Sequence, residues 1–277
     1  MAIIRDYNEV DILYTLMSYV NISSSNDMYY TIAYTILNNL EKIPDISINN
    51  LAEMCYTSPA TLSRFTKDIG CKSFANFKQE IAIALHNAST EVDLNAKDLL
   101  KASEKPQLLV QKIYKETIDS LKLGMNSVDI QDIDVICKKI KDAKKVHLIG
   151  YQFNRIILND FQMKLIKLKK FMFSFVHSGE EIQGLDTIDE DTLVIILTVR
   201  ARPQLLNELI DSASLNNPKI MMITMNQTFN NNHLDYIYRL KGFDSDYTES
   251  AMMGSIDFLT LLNTIYVRYA MLYGSEE

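Results

Sequence analysis

The spacing of hydrophobic residues changes once along this chain, and the change separates two kinds of structure. In the first part, apolar residues recur every three or four positions, as in helices that bury one stripe. Tyr7 to Val20 is a predicted helix, and Tyr29 to Leu40 is a second, with Ile32, Ile36 and Leu40 in line. The polar run Asn21 to Asp27 separates them, and Pro44 closes the next connection. Helical spacing returns over Phe74 to His86, Pro106 to Leu123 and Asp132 to Lys141. The period then shortens. Val146–Gly150, Phe171–Val176, Leu193–Thr198, Lys219–Thr224 and Tyr236–Leu240 are short apolar runs, as buried parallel strands are. Arg155–Lys169, Pro203–Asn216 and Ser250–Leu272 are helical. The expected fold is an all-α N-terminal domain joined to an α/β domain with a mostly parallel five-stranded sheet. The expected boundaries are residues 1–87, a polar linker over 88–105, and 106–277.

One helical segment carries a specific signal. Ser47 is placed to cap a helix that buries Leu51 and Ala52. Cys55, Tyr56 and Thr57 form a turn. Ser58 caps a second helix with Pro59 at its first position, where the missing N–H costs nothing. That helix buries Leu62, Phe65 and Ile69, and Gly70 stops it. Its other face carries Ala60, Thr61, Ser63, Arg64 and Lys67, the short polar and cationic groups that a major groove accepts. The run Ser58-Pro59-Ala60-Thr61-Leu62-Ser63-Arg64-Phe65, with Gly70 and Phe74-Ala75-Asn76-Phe77-Lys78, resembles the N-terminal domain of RpiR-type transcriptional regulators. These are bacterial helix-turn-helix proteins with a C-terminal sugar-isomerase-like (SIS) domain. The resemblance implies sequence-specific binding of double-stranded operator DNA and control of carbohydrate-metabolism genes. Ser58, Ala60, Thr61, Ser63, Arg64, Lys67 and Lys72 are the expected DNA-binding residues, with Ser58 and Lys72 near phosphates.

Composition narrows the picture. The 277 residues are 47% hydrophobic and 23% charged, with a net charge of −7. An acidic chain does not coat nucleic acid indiscriminately. Residues 1–90 hold six Lys/Arg and nine Asp/Glu, a balance of −3, which leaves −4 for the rest. Around the second helix of the motif, however, Arg64, Lys67, Lys72 and Lys78 outnumber Asp68 and Glu80. A small basic face suffices if a homodimer or higher oligomer presents it more than once. The final helix is apolar on more than one face, with Ile256, Phe258, Leu259, Leu261, Leu262, Ile265 and Val267, and some of that surface is expected to need a partner or deep burial. No membrane span and no signal peptide are expected, and a cytoplasmic location follows. Cys55, Cys71 and Cys137 and the four His are scattered, so no metal site or cofactor is expected.

The second half resembles the SIS domain, whose strand ends bind phosphorylated sugars, and the loops after two strands carry the question. Where such domains have Gly-x-Gly-x-Ser, this chain has Gly150-Tyr151-Gln152-Phe153-Asn154. Where they have Ser-x-Ser-Gly-x-Thr, it has Thr198-Val199-Arg200-Ala201-Arg202-Pro203. The expected consequence is loss of the hydroxyl-and-amide phosphate cradle, with Arg200 and Arg202 left either in surface salt bridges and dimer contacts or as substitute anion ligands. Tyr151, Asn154, Thr198, Arg200 and Arg202 are the expected contacts of an anionic effector, a phosphorylated sugar among the candidates. No catalytic residue is expected. The competing reading, a sugar-phosphate isomerase, would need a base such as Glu180 or Glu249, and neither stands in a recognisable constellation. A third reading keeps the SIS-like domain as a dimerisation scaffold alone.

Overall fold

A computed structural model of the chain describes residues 12–22, 27–91, 105–150, 153–174, 187–201, 203–242 and 252–274. They divide into two compact units, one up to Ser89 and the other from Thr90. The first is helical: α1 (Ile12–Ile22), α2 (Met28–Leu37), a 3-10 turn (Leu40–Lys42), α3 (Ile48–Met54), α4 (Pro59–Asp68) and α5 (Phe74–Glu91). Their apolar stripes meet in one core, with Ile12, Leu16, Ile32, Ile36, Leu51, Leu62, Phe65, Phe77 and Ile81 buried.

Local chemistry decides where these helices start and stop. Asp27 caps α2 by accepting from the Tyr29 N–H at 2.7 Å. The helix ends at Leu37, short of the expected Leu40. Asn38 and Asn39 turn their amides back onto the carbonyls of Tyr34 and Thr35, at 2.8 and 2.9 Å, and compete with the helical ladder. Helix α5 runs to Glu91, so the first residues of the expected, partly helical linker continue this helix. Residues 92–104 lie outside the described residues.

The second unit holds α6 (Gln107–Ser127), α7 (Ile130–Asp142), β1 (Lys145–Gly150), α8 (Phe153–Ile166), β2 (Phe173–Ser174), β3 (Thr192–Thr198), α9 (Pro203–Ser214), β4 (Lys219–Thr224), β5 (Tyr236–Arg239) and α10 (Met252–Tyr273). The sheet order is β2-β1-β3-β4-β5, and every pairing is parallel. The strands are nearly continuous apolar runs because helices cover both faces of a parallel sheet. β2 was expected to reach Val176, but residues from 175 to 186 lie outside the described residues.

Of the two outcomes expected for the apolar surface of helix α10, a partner or deep burial, burial accounts for most of it. Phe258, Leu261, Leu262, Ile265 and Tyr269 are buried in the unit's own core. Arg268 clamps α10 onto α7 through two bonds to the Asp134 carboxylate, Nε at 2.6 Å and the second nitrogen at 2.9 Å. Most of the apolar surface that called for a partner is therefore buried within the chain. The exposed apolar stripe lies on α6, at Val110, Tyr114, Ile118 and Met125. Only Ser120 and Gly124 of α6 are buried.

Candidate functional site

Helix α4 is built as an exposed reading element on a buried support. Ser58 accepts from the Thr61 N–H at 3.1 Å, and its hydroxyl lies 3.0 Å from that of Thr61. Pro59 occupies the first turn. At the other end Gly70 takes φ 94, a left-handed turn that favours glycine. Leu62, Phe65 and Thr66 face the core. Ala60, Arg64 and Lys67 share the exposed stripe, with Thr61 and Ser63 half-buried on its flanks. Lys72 is exposed just beyond the helix. The structure thus brings together all seven residues expected to face DNA.

Two details change that picture. Lys78 is not part of the basic face: its ammonium caps the Ile46 carbonyl at 3.1 Å. Asp68 lies at the end of the exposed stripe and accepts a hydrogen bond from the Tyr29 hydroxyl. Tyr29 escaped the sequence reading because it belongs to α2. Only the fold places it beside Asp68 and near Arg64. The thiols of Cys55 and Cys71 are buried, and burial pushes them up to about 11 and about 12. No group of potential metal ligands is found among the described residues.

The second candidate site lies at the sheet's switch point. β1 continues to β2 on one side and β3 to β4 on the other, and such a divergence opens a crevice at the strand ends. Gly150 ends β1 against close neighbours: a Cβ there would lie 2.7 Å from Leu158 Cδ1 and 3.2 Å from Asn154 backbone. Asn154 follows in the first turn of α8, with its Oδ1 buried and without a hydrogen-bond partner among the described residues. Arg155 is 1% exposed and donates from Nε to the Gly150 carbonyl at 3.3 Å. The sequence reading gave Arg155 no role; the available signal was a cation five residues after a strand-ending glycine.

The loop after β3 keeps a shape that its composition did not promise. Ala201 stands at the motif's glycine position, yet its φ is 46 and it is buried. Its N–H donates to Thr198 Oγ1 at 3.1 Å. From β4 the Thr224 hydroxyl donates to the Val199 carbonyl at 3.3 Å, and Asn226 Nδ2 donates to the Arg200 carbonyl at 2.7 Å. One bond within the loop and two from the end of β4 and just beyond it thus hold the turn that a glycine would adopt unaided. The expected loss of the cradle rested on side chains standing where close backbone approach is needed; the turn at Ala201 keeps a left-handed φ all the same. The cradle is thinned for another reason: Thr198 already accepts a bond from within the loop, and Pro203 offers no N–H. Arg200 is half-buried beside this turn. Tyr151 and Arg202 lie outside the described residues, as do Glu180 and Glu249.

Comparison with known proteins agrees with both units. Residues 20–88 match the family model described as a helix-turn-helix domain of the rpiR family, and residues 139–240 match that of the SIS domain. An HTH-type transcriptional regulator of Haemophilus influenzae is 25% identical over 137 residues, which are 50% of this chain and 48% of that protein. The HTH-type transcriptional regulator RpiR of Escherichia coli K12 is 22% identical over 178 residues, 64% of this chain and 59% of that protein. The chain thus spans about half to three fifths of these relatives' length. The Vibrio vulnificus NanR protein, solved in complex with ManNAc-6P, superimposes with a TM-score of 0.52 at 17% identity, covering 95% of this chain and 92% of that one. At that identity the likeness is one of fold. Among the described residues, no helix is long and apolar enough to cross a membrane.

Proposed function

This chain belongs to the RpiR family of helix-turn-helix transcriptional regulators with a SIS domain, and on that premise we propose that it reads operator DNA through α4 and senses an anionic metabolite in its second unit. The observation that carries the first part is the exposed stripe Ala60, Arg64 and Lys67 with Ser63 beside it, on a helix capped at both ends. Short side chains let the helix approach base edges, while Arg64 presents a bidentate fork to guanine. Ser58 and Lys72 lie near phosphates. A gel-shift titration of wild type against a Ser63→Ala/Arg64→Ala variant tests this assignment. A large loss of affinity is expected, and unchanged affinity defeats it.

The effector is proposed to be a phosphorylated sugar or a related anion, bound between Asn154 and the loop Thr198–Arg200. What supports this is the switch-point crevice with the Asn154 oxygen unsatisfied among the described residues and able to accept from a sugar hydroxyl, Arg200 in the loop after β3, and a fold like that of a protein solved with ManNAc-6P. Genes of carbohydrate metabolism are the proposed targets, and the cytoplasm the proposed compartment. A melting-temperature screen with sugar phosphates and inorganic phosphate tests the sensing role. No shift with any of them would leave this unit a dimerisation scaffold.

A further inference from the structure

The reading stripe of α4 contains one acid, and that acid is engaged. Asp68 lies one turn beyond Arg64, at i and i+4 on the same face. Left to themselves, these two side chains would pair, and the guanidinium would fold back along its own helix. A third group intervenes. The Tyr29 hydroxyl donates to Asp68 Oδ2, and the Arg64 guanidinium lies near enough to pull that hydroxyl's pKa down against Asp68. The ring behind that hydroxyl is fixed by the core. It meets Phe65 edge-on with centroids 5.0 Å apart and Tyr19 at 6.0 Å. Phe65 is fully buried. The hydroxyl is therefore a fixed point against the flank of α4, set from α2 and not from the reading helix.

The consequence for Arg64 is chemical. Guanidinium has five N–H donors in a rigid fork, so one bond to a hydroxyl leaves the others available. A long side chain anchored at one donor has fewer orientations to lose when it meets a base. We propose that Tyr29 is a positioning residue for DNA reading: its hydroxyl, held on Asp68, sets the orientation of Arg64 before contact. Sequence discrimination then depends on a residue that itself meets no base edge. This rests on the base-reading role proposed above for Arg64. The Tyr29 hydroxyl is held above its ordinary pKa, first by burial and then by Asp68 against the opposing pull of Arg64, so it remains a proton donor at neutral pH.

The test uses the full-length chain and two duplexes, one selected by the wild-type protein from a random pool and one scrambled. Tyr29→Phe removes only the oxygen and keeps the ring against Phe65. The expected result is a fall of about tenfold in the ratio of selected to scrambled affinity, the scale of one good base contact. Affinity for the scrambled duplex and the salt slope should stay as in wild type, because no phosphate contact is lost. In an Arg64→Ala background, Tyr29→Phe should change nothing further. Asp68→Ala, at an exposed position that tolerates substitution, should also lower the ratio while raising affinity for both duplexes. An unchanged ratio, equal losses on both duplexes, or an effect that persists without Arg64 would overturn the proposal. A wild-type ratio of one would instead dispose of the DNA-reading role itself, before any variant is made.

Discussion

Tyr56, in the turn between α3 and α4, stands at φ 51 and is 88% exposed. A β-carbon in that conformation costs about 1–2 kcal/mol, and glycine's extra chain entropy gives back about half. Tyr56→Gly should therefore stabilise the protein by roughly 0.5–1 kcal/mol, read as a higher urea midpoint. A lower midpoint would mean that the exposed ring makes a contact worth more than the strain. His147 lies at the other extreme, fully buried in β1 and stacked on Phe173 at 4.6 Å. Burial, helped by Lys145 and opposed by Asp189, pushes its pKa down to about 4. Between that value and the ordinary value of about 6.5, the unfolded chain binds the proton and the folded chain does not. Stability is therefore present above this window and falls as pH drops through it. His147→Leu should flatten that acid slope of the unfolding midpoint, and an unchanged slope would remove His147 as its source.

At the scale of elements, the capped helices were the most legible part of the sequence. Ser47, Ser58, Pro59 and Gly70 act through local chemistry, and each stands where its residue type implied. Ser58→Ala should cost about 1 kcal/mol of stability, measured by denaturant unfolding, and a neutral effect would deny the cap its role. Gly150→Ala should cost more, because its new Cβ meets Leu158 and the α8 backbone at once. What was not legible came from outside each segment. The early end of α2 depends on two asparagines competing for carbonyls. The turn at Ala201 depends on Thr198, Thr224 and Asn226, and a motif comparison that reads only residues 198–203 cannot see the last two. Tyr29 belongs to the same class: it stands 39 residues before the Asp68 that its hydroxyl meets.

At the scale of the whole molecule, a helix-turn-helix with few cations on a chain of net charge −7 needs a second copy to bind DNA firmly. The apolar face of the final helix is largely buried within its own unit. The contact is expected instead to involve α6, whose exposed Val110, Tyr114, Ile118 and Met125 recur at helical spacing. Light scattering at micromolar concentration should give a dimer or higher oligomer for wild type and a smaller species for Tyr114→Glu/Ile118→Glu. A wild-type monomer would contradict this. The most direct test of the account is selection of duplexes by the full-length chain from a random pool. Two α4 helices reading successive major grooves predict an enriched motif with two inverted half-sites, their centres about 10 base pairs or a multiple apart. A pool that returns without an enriched motif would contradict the claim that this chain reads DNA sequence.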